Sequence, residues 1–446
     1  MLPASSGAMT PMSKRTLLVF AAAALVACAP SPVAPVAPVA PVAYRAPGGE
    51  NRAPPSLAER AARLHAEAIV VDTHNDITSA ILDDGFDLGK PNGKTHSDLA
   101  KFKAGGLSAE FFSIYVDSSF KNPARRALDM IDVTYQQVER HPDALVLATT
   151  VDDIRRAKKD GKVAVLMGIE GGHAIENSLF ALRDFYRLGV RYMTLTHTNT
   201  NDWADSAGGF GKPPEARHHG LTPFGEEVVR EMQRIGMLVD VSHVSDETFA
   251  AVMRVAVAPV IASHSSARAL APHLRNLTDD ELRALAKNGG VAMINFFPGF
   301  LDAKRVAYDT DFFAKHGTEL KDILEKYRGD AAGREAAIGK LFAASPPPRT
   351  PYTMIVDHID HVVKVAGVDH VGLGSDFDGV PSLPDGMGGV NDLPKLTLEM
   401  LRRGYSDQDV KKVLGENFLR VLAAAEAHAR ETKTAVSGDG SVKKLP

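Results

Sequence analysis

Apolar residues gather in eight short runs along this chain, each closing on polar residues and separated from the next by stretches with helical spacing. The runs are AIVVDTHND, SAEFFSIYVD, VAVLMGIEG, RYMTLTHT, GMLVDVSHVS, APVIASHSSA, GGVAMINFF and HVGLGSDFDG. They are nearly continuous rather than alternating, as expected of parallel strands covered on both faces. Between them, segments such as NPARRALDMIDVTYQQVERH, NSLFALRDFYRLG, TPFGEEVVREMQRIG and TDDELRALAKNG place apolar residues three and four apart, the spacing of amphipathic helices. Eight such alternations predict an α/β fold, a closed (β/α)8 TIM barrel with its active site at the C-terminal mouth of the strands. The barrel is expected over residues 56–430, opening on the helical SLAERAARLHAEA. After the seventh run, residues 298–350 form an excursion too long for an ordinary loop, which reads as a lid or as accessory helices.

The ends of the chain break this pattern. Lys14 and Arg15 precede the apolar TLLVFAAAALVA, so residues 1–27 read as a secretory signal peptide. Its end, Leu25-Val26-Ala27-Cys28, resembles a bacterial lipobox, although Ala27-Cys28-Ala29 also fits an ordinary cleavage site. Residues 28–55, with APVAPVAPVAPVA at their centre, read as a linker in extended polyproline conformation. The expectation is an exported protein of the bacterial cell envelope, lipid-anchored through Cys28 and facing the periplasm or exterior. Residues 431–446 are polar and small and read as a frayed tail.

Composition narrows the chemistry. Cys28 is the only cysteine, which removes disulfides, thiol catalysis and thiolate ligands from the barrel. A formal charge of −4 provides no basic field for nucleic acid. The 44% hydrophobic content is enough for a substantial core.

The polar residues at the run ends are a selected set. His74 and Asp76 stand two apart on the first run, so both face one side of a strand. Glu170, flanked by glycines in GIEGGH, can approach a cation, and its two oxygens can bridge two. His243 and His264 end neighbouring runs; adjacent strands lie ~4.8 Å apart, so the two can share one ion. Any one of these residues is unremarkable, but all five at strand ends form an N/O ligand set without sulfur. That set suits Zn²⁺, with Mn²⁺ or Co²⁺ as competitors, and five ligands favour two ions bridged by Glu170. His197 is placed to stabilise an oxyanion. Asp376 could shuttle a proton, with Asp378 as its competitor. Arg275 could pair with a substrate carboxylate or simply with a surface acid. Trp203 could wall a pocket or pack in the core, and His173 could orient Glu170. The remaining loop and helix histidines, among them His96, His273 and His358, read as structural.

At this point the chain resembles the membrane dipeptidase (renal dipeptidase) family of zinc metallopeptidases. The likeness runs from about residue 57 to 428 and rests on DTHND, GIEGGH, LTHTNT, DVSHVS, ASHSSAR, RNL, GSDFDG and GENFLRV, in that order. It implies a barrel with a binuclear zinc centre that hydrolyses dipeptides, including substrates with a C-terminal D-residue. One zinc would take His74 and Asp76, the other His243 and His264, with Glu170 between them. His197 and Arg275 would hold substrate and Asp376 would move the proton. Two departures, the stretch TNTNDWADS after His197 and Ser375 where glycine is common, are expected to alter the pocket wall. Without cysteine in the barrel, any homodimer is noncovalent. The rival readings are an amidohydrolase for β-lactams or N-acyl amino acids and a non-catalytic metal- or peptide-binding lipoprotein. No strand-end lysine offers a carbamylated metal bridge, which favours the dipeptidase.

Overall fold

The eight runs become strands of one parallel sheet in a computed structural model that describes residues 55–210, 214–327 and 331–438. The expected signal peptide, Cys28, residues 28–54 of the linker and the last eight residues lie outside the described residues. The strands are β1 (Val71–Asn75), β2 (Ala109–Tyr115), β3 (Leu145–Leu147), β4 (Val163–Glu170), β5 (Val190–Thr194), β6 (Leu238–Asp240), β7 (Ile261–Ala262), β8 (Val291–Ile294) and β9 (Val371–Leu373). Pairing follows the order β1-β2-β4-β5-β6-β7-β8-β9. Backbone bonds just past the strand ends join the first and last staves: Asp76 N donates to Phe377 O at 2.8 Å and Asp376 N to His74 O at 3.0 Å. This is the expected (β/α)8 barrel, nearly closed.

The ninth strand was not among the runs. β3 pairs Leu145–Leu147 with Val163–Val165 of β4, while β5 takes the same strand further up, at Met167–Glu170. Three residues are too few to show a hydrophobic period, so only the partner strand reveals it.

Helices fill the crossovers for local reasons visible in the chain. Ser56 caps Leu57–Glu67 and Thr278 caps Asp279–Asn288, each in a reciprocal capping box with the glutamate three residues on. Pro223 starts Pro223–Ile235 at the first helical position. The barrel interior is apolar up to the mouth, with Val71, Phe111, Leu166, Tyr192, Ile261 and Met293 packed inside. Phe418, Leu419 and Leu422 of the last helix, Asn417–Gly438, pack into the same cluster, and the Phe418 ring meets Phe111 edge-on at 5.2 Å. The excursion after β8 is helical: Pro298–Leu301, Ala303–Lys326 and Ala331–Ala344.

Candidate active site

Each of the strand-end residues singled out above arrives at one mouth. Glu170, the last residue of β4, is its centre. Its Oε2 faces His74 Nε2 at 3.5 Å, and its Oε1 faces His243 Nε2 at 2.8 Å and His264 Nε2 at 3.3 Å. His74 Nε2 is also 3.3 Å from Asp76 Oδ2, and the His243 and His264 Nε2 atoms lie 2.9 Å apart. The donors thus fall into two halves, His74 with Asp76 and His243 with His264, and one oxygen of Glu170 turns to each. Asp376 closes against the first half, sharing a common approach with His74 and Asp76.

Buried partners set the imidazole tautomers. Tyr192 OH donates to Thr73 O at 3.0 Å and so accepts from His74 Nδ1 at 2.8 Å. Ser263 Oγ donates to Asp240 Oδ2 at 2.6 Å and accepts from His264 Nδ1 at 2.7 Å. With Nδ1 carrying the proton in both rings, each Nε2 presents a lone pair to the centre, the arrangement by which metal-binding histidines are oriented. Burial drives the pKa values of His243 and His264 well below the ordinary histidine value, keeping them neutral. Buried lone pairs facing one another at 2.9 Å repel unless a proton or a cation lies between them. His74 Nε2 and Asp76 Oδ1 have no hydrogen-bond partner although both are buried. These residues fit a metal centre.

The backbone is bent to make this mouth. His243, Asp376 and Asp378 adopt φ of 68°, 65° and 63°, a left-handed region that costs a non-glycine residue about 1–3 kcal/mol. Gly379 has no such option: a Cβ there would stand 2.1 Å from Asp76 Oδ2 and 2.5 Å from Asp376 Oδ1. The glycines near Glu170 serve neighbours rather than an approach to the carboxylate. A Cβ on Gly168 would strike the Tyr192 ring at 2.0 Å, and one on Gly172 would strike Trp203 at 2.5 Å.

His197 leans on His243 with ring centroids 4.5 Å apart, and Tyr115 meets it edge-on at 4.8 Å. Burial lowers its pKa, so it stands neutral beside Glu170. Asp376 Oδ2 accepts from Asn295 Nδ2 at 2.8 Å, and burial, with Asp76 and Glu170 nearby, pushes its carboxyl up to about 8. Asp378 is engaged elsewhere, its Oδ1 accepting from His96 N at 2.6 Å while its own N–H donates to His96 Nδ1 at 2.9 Å. Arg275 is 3% exposed, bonded only to Ser265 Oγ at 3.3 Å and the His264 carbonyl at 3.2 Å, and its Nε is unpartnered. Among the described residues no carboxylate lies within ion-pair distance of it. It is therefore no surface salt-bridge partner but a buried cation lining a cleft of about 420 Å³ with Glu170, His197 and Asp376.

Three sequence expectations need correction. Trp203 is 1% exposed and packs between Gly172 and Phe224, so it belongs to the core and not to the cleft. Ser375 is not a pocket residue either; its N donates to Asp72 Oδ1 at 2.7 Å and its hydroxyl to Asp72 Oδ2, fastening β9 to β1. His173 makes no hydrogen bond to Glu170 and lines a separate cleft with Asn199 and Asp202. Sequence reasoning missed Tyr192, Asp240, Ser263 and Gly379. The one available signal was a tyrosine inside an apolar run, whose hydroxyl needs a buried partner.

The chain matches the membrane dipeptidase family, Peptidase family M19, over residues 58–436. It is also similar to the solved structure of the probable dipeptidase PvdM from Pseudomonas aeruginosa, at 26% identity and a TM-score of 0.71, covering 84% of this chain and 99% of that one. A metallo peptidase from Rhodobacter sphaeroides, liganded with a phosphinate mimic of the dipeptide L-Ala-D-Ala, is 26% identical with a TM-score of 0.66, covering 80% of this chain and all of that one. With a barrel of matching architecture, a mouth of five metal-competent side chains and a family match spanning the folded unit, the chain belongs to the membrane dipeptidase family and is a metal-dependent dipeptide hydrolase.

Proposed function

We propose that the chain cleaves dipeptides with two zinc ions, one held by His74 and Asp76, the other by His243 and His264, and both by Glu170. The observation that carries this reading is the orientation of Glu170, whose two oxygens address different histidine groups. When bound, such ions acidify water toward a pKa of ~7 and polarise a carbonyl. The chain's own residues supply the rest. His197, neutral and open to the cleft, donates to the carbonyl oxygen as negative charge develops on it. Asp376 takes the proton of the attacking water and returns it to the departing amine, held in place by Asn295. Asp378 is less suited to that task because His96 occupies its carboxylate. Arg275 receives the C-terminal carboxylate of the substrate, which supplies the counter-charge this buried guanidinium lacks.

A dipeptide bound in this way presents its C-terminal α-carbon between Arg275 and the centre, and recognition through the carboxylate admits a D-residue there as well as an L-residue. In the cell we place the protein in the bacterial envelope, tethered through a lipid on Cys28. The decisive experiment measures amino-acid release from L,L and L,D dipeptides by zinc-loaded, chelator-stripped and zinc-restored protein. Loss and recovery of release with two zinc equivalents is the expected result. No release from any dipeptide at full zinc occupancy would sink the reading and turn attention to lactams and acyl amino acids.

A further inference from the structure

The cleft has two unlike walls. Ser79, Gly379 and Val380 form one, small and mixed in character. The other is aromatic and assembled from three separate parts of the chain: Phe210 after β5, Phe297 and Phe300 at the short helix Pro298–Leu301, and Phe313 on the helix Ala303–Lys326. Phe210 is the hub. Its ring stacks with Phe300 at 5.8 Å and with Phe313 at 5.9 Å, and meets Phe297 at 6.1 Å. This wall adjoins Arg275, whose guanidinium carbon lies 5.3 Å from the Phe300 ring centre. Phe297 and Phe300 are buried, while Phe210 and Phe313 are half-buried and turn their remaining surface to the cleft.

We infer that the aromatic wall formed by Phe210, Phe297, Phe300 and Phe313 selects dipeptides whose C-terminal residue carries a large apolar side chain. The inference rests on the dipeptidase reading above, specifically on the carboxylate at Arg275. A carboxylate there brings its α-carbon to within one residue of Phe300, so the substituent of that carbon lies along the wall. Charge on that substituent finds no reward. Arg305 and Asp309, the ionic groups of this wall, already satisfy each other, with Arg305 Nε 2.8 Å and 3.0 Å from the two carboxylate oxygens and its guanidinium over Phe297. The N-terminal residue of the substrate lies on the far side of the scissile bond and gains nothing from the wall.

The test compares kcat/KM for Gly-Gly, Gly-Leu, Gly-Phe and Phe-Gly, using the zinc-loaded full chain and its Phe313→Ala variant. Gly-Leu and Gly-Phe should exceed Gly-Gly by about tenfold or more, the discrimination an apolar pocket supplies, and Phe-Gly should not share the gain. Phe313→Ala should shrink the ratio of Gly-Phe to Gly-Gly several-fold. Because both substrates are assayed on one preparation, any loss of folded protein cancels from that ratio. Equal rates for Gly-Gly and Gly-Phe, a gain shared by Phe-Gly, or a variant that slows every substrate alike would overturn the inference, the last result meaning that the rings only anchor the helix. Release from dipeptides with a flat profile defeats the wall alone; no release at all defeats the dipeptidase reading and the wall with it.

Discussion

Tyr192 holds His74 from across the barrel, its hydroxyl 2.8 Å from Nδ1 while it donates to the Thr73 carbonyl. The tyrosine lies on β5 and the histidine on β1, so they meet through the interior and not along the sheet. Gly168 lets the ring pass. Tyr192→Phe should weaken metal binding by about 10–100-fold, the usual cost of losing such an orienting bond, with the fold retained. Titration against a competing chelator measures it, and unchanged affinity would show that His74 needs no such anchor.

His197 touches His243 but bonds weakly to its surroundings, with only Thr198 Oγ1 near, 3.4 Å from Nδ1. Its replacement should leave the centre loaded and slow the reaction. His197→Ala is expected to lower kcat by ~10²-fold or more at unchanged zinc content. An unaltered kcat removes it from catalysis.

Arg275 is a buried cation without a carboxylate partner. Arg275→Ala should cut kcat/KM strongly on dipeptides with a free carboxylate, by ~10²-fold, and far less on the same dipeptides amidated. Equal losses on both would assign the residue to the architecture of the mouth instead.

His358 makes a prediction about stability. In the helix Thr353–Ala366 its Nδ1 accepts from Ala267 N at 3.0 Å and its Nε2–H meets the Leu301 carbonyl at 2.9 Å. Burial presses its pKa down to about 4, from 6.5. The unfolded chain therefore binds more protons between those values, so this stability is complete above pH 6.5 and is lost as pH falls toward 4. The full loss is roughly 3 kcal/mol. Tm should drop between pH 7 and 5 more steeply in the native protein than in His358→Gln; parallel curves would assign the acid sensitivity to other groups.

Much of the site was legible because two signals coincide at each strand end. The apolar run marks a buried parallel strand, and the barrel geometry then says which end matters, so His74, Glu170, His243 and His264 stood out by position alone. Arg275 was ambiguous because an arginine in a loop says nothing of its burial. Tyr192 and Asp240 were invisible for a different reason: their partners lie on other strands, and nothing local distinguishes a core tyrosine from one that holds a ligand. β3 escaped because three residues carry no period. Trp203 and Ser375 show the converse, where a motif departure reads as pocket variation but packs in the core or fastens the seam.

That seam gives the protein a fixed order of maturation. Asp376 N–H to His74 O, Asp76 N–H to Phe377 O and Ser375 to Asp72 join segments 303 residues apart in the last case. During synthesis every proposed ligand, from His74 to His264, has left the ribosome well before residue 371, yet the bonds that aim His74 and Asp76 wait for β9. Closure over such a separation is slow. Ion loading is thus the final event in the life of a new molecule, and a chain truncated ahead of β9 keeps all five donors without the bonds that shape their mouth.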